Sequence, residues 1–282
     1  MINSQTLPFL SGRFGRRATI VLVILGALLV LGIYTATDVD RLAHDPALGV
    51  LDYAGYAICH RITDHSLSIA GRQMPLCARC TGMYLGVVLS IVVLGLAGRY
   101  KWAQLPPAKV MGVLIGFIAL MGIDGINSYS FFFPDFPHLY QPQNWLRLLT
   151  GMGTGLAMGV FIFPALAQTL WRDFKWQPAL SGFRELFWLV VLALIVVLLV
   201  LSNQPILLYV LGVISAVGVV GILTIINTMV LLLATRRDAR STAWRQAAVP
   251  LMIGLLLAVT EIAAVSYFRF SLTGTMTGFP GI

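Results

Sequence analysis

The chain has three cysteines, Cys59, Cys77 and Cys80, and all fall in one stretch between two apolar runs. Cys59 is followed by His60, and the other two form a C-x-x-C within Cys77-Ala78-Arg79-Cys80-Thr81-Gly82. That spacing puts two thiols within reach of one metal ion or of each other. The motif opens a helical-length apolar run, where free N–H groups and the helix dipole favour thiolate. Zinc sites and redox sites both require that form. With Cys59 and one imidazole the set becomes Cys3His, a tetrahedral zinc arrangement. The expected ligands are Cys59, His60, Cys77 and Cys80. Neighbouring side chains diverge, so His65 and His138 are alternative sources of the nitrogen ligand.

Two other readings stay open. The thiols could exchange disulfides with a partner and pass electrons to a quinone within a membrane bundle. Such relays use two cysteine pairs, and three cysteines close at most one pair. The thiols could also be small buried hydrophobes or a chance disulfide. If one metal position were open, bound water would be activated for hydrolysis, but no H-E-x-x-H accompanies the cysteines.

A second group of residues is ionisable and lies within apolar runs: Asp124, Arg147 and Glu261. Charges at membrane depth are costly unless paired or hydrated, so each is a functional candidate. Span counting brings all three toward the face that carries the cysteines. Together with Asn144, Arg79 and Thr150 they make an expected polar pocket, suited to an anionic lipid headgroup or a small polar ligand. The bland alternative is an Asp124–Arg147 pair that staples two helices. A transporter built around these charges, or a subunit of a larger membrane complex, is a further reading. No internal repeat supports the transporter.

The elements that must position these residues are membrane spans. Hydrophobic residues make up 58% of the 282 residues and charged residues 11%, and the mean hydropathy is +0.87. Soluble domains are about half apolar and about a quarter charged. The net charge of +8 sits in short clusters between apolar runs, a topology pattern that excludes nucleic acid as the expected partner. An all-α polytopic bundle of about seven spans is expected, over residues 18–37, 81–96, 110–128, 145–170, 186–202, 206–234 and 247–268. The first of these is read as a retained span.

Basic clusters at Arg13, Arg16 and Arg17, at Arg99, Lys101 and Lys109, at Arg172, Lys175 and Arg184, and from Arg236 to Arg245 fall on one side of that topology. The positive-inside rule makes that side cytoplasmic, with the N-terminus inside and the C-terminus outside a cell membrane. The organisation expected is a cytoplasmic segment 1–17, a four-span core 18–170 with an outer loop 38–80, and three further spans with a short outer tail in 171–282. Within the loop, Ala47 to Ile58 reads as an interfacial helix. Phe131 to Gln143 reads as an aromatic, proline-rich lid. Gly151, Gly153, Gly155 and Gly159 contain overlapping G-x-x-x-G pairs, which permit close helix approach.

The run from Cys59 through Cys77-Ala78-Arg79-Cys80-Thr81-Gly82, with Asp124-Gly125 and Asn144-Trp145-Leu146-Arg147 followed by Thr150-Gly151, resembles a membrane-protein family known as domain of unknown function 2085. The resemblance covers Tyr53 to Gly155. It implies that Cys59, His60, Cys77, Arg79, Cys80, Asp124, Arg147 and Thr150 belong together, and it implies no activity. Asp64-His65 departs from the acidic-then-arginine pair expected there.

Overall fold

The computed structural model of the protein describes residues 20–21, 23–28, 39–131, 133 and 137–276. The chain is an all-α polytopic membrane bundle. Among the described residues, six helices are long and apolar enough to cross a bilayer. They are α3 (Ala78–Leu96), α4 (Ala108–Ser130), α5 (Asn144–Leu170), α6 (Phe183–Leu201), α7 (Pro205–Ala234) and α8 (Trp244–Thr273). The expected span over residues 18–37 lies mostly outside the described residues, although 20–21 and 23–28 are helical. Helices α7 and α8, of 30 residues each, run to about 45 Å, longer than a roughly 30 Å hydrocarbon layer, so they tilt or project.

The centre of the bundle is the contact of α3 with α5, and glycine makes it possible. A Cβ on Gly82 would strike the Leu148 carbonyl oxygen, one on Gly151 the Arg79 carbonyl oxygen, and one on Gly155 the Met83 carbonyl oxygen. With no lipid-driven hydrophobic effect between spans, this backbone-to-backbone approach supplies van der Waals packing. It also fixes the height of Arg79 on α3 against Thr150 and Gly151 on α5.

Three connections gather at one end of the bundle. Strand β3 (Trp102–Gln104) pairs in parallel with β4 (Lys175–Pro178). The Arg172 N–H donates to the Ser241 carbonyl at 2.9 Å. Arg99 pairs with Glu185, and Lys101 with Asp173. The basic residues of residues 99–101, 172–175 and 236–240 therefore share a face, as the spacing of the spans requires.

The other end carries two short helices, α1 (Val39–Ala43) and α2 (Pro46–Ile58), and an antiparallel hairpin of β1 (Ser66–Ile69) with β2 (Arg72–Cys77). Helix α2 begins where the sequence signals it: the Asp45 carboxylate accepts the Ala47 N–H at 2.8 Å, and Pro46 follows. The hairpin turns on Ala70 and Gly71, with φ of 48° and 78°, the two-residue turn whose twist matches its strands. Its second strand runs without interruption into α3. This is how the long loop returns Cys77 to a helix start.

Candidate metal centre and the polar site beside it

Three different elements supply the three thiols. Cys59 is the C-cap of α2, Cys77 is the last residue of β2 and the N-cap of α3, and Cys80 lies in the first turn of α3. Their Sγ atoms all lie within 4.8 Å of one another, and none is in a disulfide. The Cys77 backbone N–H donates to the Cys59 sulfur at 3.3 Å. The Cys77 and Cys80 thiols turned toward the same sulfur, with that backbone bond as a smaller contribution, drive the Cys59 thiol down to about 2 and hold it as thiolate. Cys77, facing that thiolate, is pushed up to about 11 and stays a thiol.

Side chains hold Cys59 in place from outside the cluster. Arg269, near the end of α8, donates Nη1 to the carbonyls of Tyr56 and Cys59 at 2.6 Å each, and Nη2 to His60 at 3.2 Å. Its guanidinium lies 4.2 Å over the Tyr56 ring. These are the orphan carbonyls of the α2 terminus, satisfied here by a cation. Arg61, at φ 53°, binds Asp52 at 3.0 Å, and Arg72 binds the other oxygen of Asp52 at 2.9 Å. One carboxylate thus ties α2 to the segment that follows it and to the start of β2.

The structure places the three candidate histidines differently. His60 is exposed beside Cys59. His138 stacks on Phe131, with ring centroids 3.8 Å apart, and bonds Ser130 at 3.1 Å. His65 is half-buried, and burial with the nearby Arg147 and Arg79 pushes it down to about 4. Among the described residues, no histidine joins the thiol group within its 4.8 Å span.

The polar residues form a second site against the same helix start. Asp124, 1% exposed, takes Arg79 Nε at 3.1 Å and a second, short bond from Arg79 Nη2. Its other oxygen accepts the Tyr140 hydroxyl at 2.9 Å, and Thr150 lies at 3.5 Å. The segment at Leu139 and Tyr140 is fastened by the same helix, because Asn127 accepts the Leu139 N–H and donates to the Tyr140 carbonyl. Burial and the bond to Asp124 raise Tyr140 to about 12, so it serves as a donor.

The Asp124–Arg147 pair, the bland alternative, does not form. Arg79 takes the carboxylate, and Arg147 instead donates Nη1 to Asn144 at 2.9 Å. Glu261 is not among the groups around Asp124. It faces outward on α8 and accepts a bond from Asn227 of α7 at 2.9 Å. Sequence reasoning missed Tyr140, Asn127, Asp52, Arg61 and Arg269. A polar residue near a span end was the available signal for Asn127 and Arg269.

A helical membrane bundle with a thiol cluster at the start of one span defines the class. Residues 59–161 match the model of the family described as predicted membrane protein (DUF2085). Two archaeal relatives are similar to it, and both are uncharacterised proteins. One, from Methanocaldococcus jannaschii, is 28% identical over 124 residues, covering 44% of this chain and 73% of the relative. The other, from Methanothermobacter thermautotrophicus, is 29% identical over 103 residues, covering 36% of this chain and 82% of the relative. No solved structure matches the chain significantly.

Proposed function

We propose that this is a multi-pass protein of the cell membrane whose outer face carries a structural zinc site formed by Cys59, Cys77, Cys80 and His60. The observation that carries the reading is the convergence of three sulfur atoms from three elements within 4.8 Å. Zinc bound at about 2.3 Å to each sulfur of a tetrahedron sets them roughly 3.8 Å apart, a small contraction from that limit. A disulfide needs two sulfurs and leaves the third without a purpose. The donor set, three soft sulfurs with one already thiolate, suits zinc better than magnesium or calcium.

In this reading the ion staples α2 to the start of α3, and the fourth ligand is His60, whose backbone Arg269 fixes next to Cys59. The orientation follows the basic end of the bundle, which is cytoplasmic, so the zinc and the lid at Tyr140 face outward with the C-terminus. The reading assigns no reaction. Metal analysis of the purified protein, with thiol counting before and after chelation, tests it. One zinc per chain, with three thiols released by chelator, is expected. No metal, with one disulfide and one free thiol, refutes it and favours electron exchange with a quinone.

A further inference from the structure

Among the described residues, one guanidinium at the outer ends of α3, α4 and α5 has no carboxylate partner. Arg79 and Asp124 neutralise each other. Arg147 is 5% exposed, its Nε has no hydrogen-bond partner, and its side-chain bond is to the neutral Asn144. Among the described residues, no carboxylate lies within ion-pairing distance of it. The charged and titratable groups that face it are Arg79, Asp124, Cys77, Tyr140 and His65. Asp124 is the one carboxylate in that set, and Arg79 already pairs with it. A guanidinium held at the edge of a bilayer with a buried unmet N–H calls for an anion.

A second observation shows what that anion is attached to. One turn further along α5, Thr150 heads a cavity of about 300 Å³ between α4, α5 and α6. Its walls include Phe117, Leu120, Leu149, Met152, Leu156 and Leu194. Leu120 and Leu194 are 55% and 44% exposed on the outside of the bundle, so the slot meets the bilayer there. From Leu146 to Leu156 it follows α5 for about 15 Å. Gly153 keeps the wall open, because a Cβ there would press on Phe117 at 3.2 Å. The slot is hydrocarbon-lined along its length, and Arg147 directly follows Leu146, the first residue that α5 contributes to its wall.

We propose that Arg147 and this slot together bind one lipid with a net-anionic phosphate head. A phosphate oxygen accepts the Arg147 Nε–H in a charge-assisted bond, and one hydrocarbon chain lies between α4, α5 and α6. The site goes beyond the zinc reading and does not depend on it. Neutral His65 adds no competing charge, and the single positive charge selects a net-anionic head over a zwitterionic one.

The test is native mass spectrometry of delipidated, full-length protein titrated with phosphatidylglycerol, with phosphatidylcholine of the same chains, and with inorganic phosphate. Phosphatidylglycerol is expected to bind tightest. Arg147→Gln weakens it on the order of 30-fold or more, and Leu194→Trp, which plugs the slot and leaves Arg147 intact, weakens it too. Zinc content stays unchanged in both. Equal binding of the two lipids to the wild type overturns the proposal, as does unchanged phosphatidylglycerol binding in Arg147→Gln. Inorganic phosphate competing at equal concentration overturns it in favour of a soluble anion. Zinc loss from Arg147→Gln with lipid binding intact overturns it by making Arg147 the counter-ion of the cluster. Should Arg147→Gln fail to fold, Leu194→Trp decides, and unchanged binding there refutes the slot.

Discussion

Removing either partner of the Arg79–Asp124 pair is expected to be costly, and unequally so. The Asp124 side chain is 1% exposed and the Arg79 side chain 25%. Asp124→Ala deletes the acceptor for two Arg79 bonds and for the Tyr140 hydroxyl, but Arg79 retains a route to water. Breaking a buried pair from one side costs about 3–5 kcal/mol, and the exposed half of this pair sets Asp124→Ala near the lower bound, about 3 kcal/mol. Arg79→Ala strands a wholly buried carboxylate and belongs nearer the upper bound, about 5 kcal/mol. The double variant removes both charges, so its cost falls short of the sum by about 2 kcal/mol or more. Detergent-mediated unfolding in mixed micelles, run as a double-mutant cycle, measures the three differences. A double variant that costs the full sum shows that the two residues are not coupled, and refutes the argument. Asp124→Ala costing more than Arg79→Ala refutes the burial ranking.

Gly155→Ala places a Cβ against the Met83 backbone and Gly151→Ala against that of Arg79; each is expected to destabilise by roughly 2–3 kcal/mol, whereas Gly116→Ala, with nothing within 4 Å, is neutral or stabilising in the same unfolding assay. Cys59 is already thiolate at neutral pH, so zinc binding to the apo protein releases at most two protons from the cysteines. Calorimetry in buffers of different ionisation enthalpy counts them, and three would contradict the assignment. The sign for stability follows: the depressed Cys59 value contributes stability that is complete above the ordinary thiol range near 9 and is lost as pH falls toward about 2. Thermal melts of the metal-free protein should therefore decline on acidification, and a flat profile from pH 9 to pH 4 would contradict it. Arg269→Ala, which frees the carbonyls of Tyr56, Cys59 and His60, should weaken zinc retention by about 10–100-fold in a chelator competition.

The spans were legible because long apolar runs have few alternatives, and the C-x-x-C was legible as a helix start because an apolar run follows it. The apolar stretch from Ala47 to Ile58 announced α2. The hairpin was passed over although Ala70-Gly71 between Ser66–Ile69 and Arg72–Cys77 is a two-residue turn signal. Its strands are short and not cleanly alternating, since Pro75 and Leu76 are both buried. The partner of Asp124 could not be read from spacing. Whether Arg79 or Arg147 reaches it depends on the rotation of α3 and α5 about their axes, which the glycine contacts fix and hydropathy does not. Glu261 was drawn toward the polar site by its depth alone, but α8 turns it toward Asn227. The parallel pairing of β3 with β4 joins two loops far apart in sequence and has no local signal.

X-ray absorption spectroscopy at the zinc edge of the purified protein tests the central claim most directly. The account predicts a first shell of three sulfurs at about 2.3 Å and one imidazole nitrogen at about 2.0–2.1 Å, with the nitrogen lost in His60→Ala. An edge without zinc, or a zinc shell of oxygens and nitrogens that survives Cys59→Ser, would contradict it.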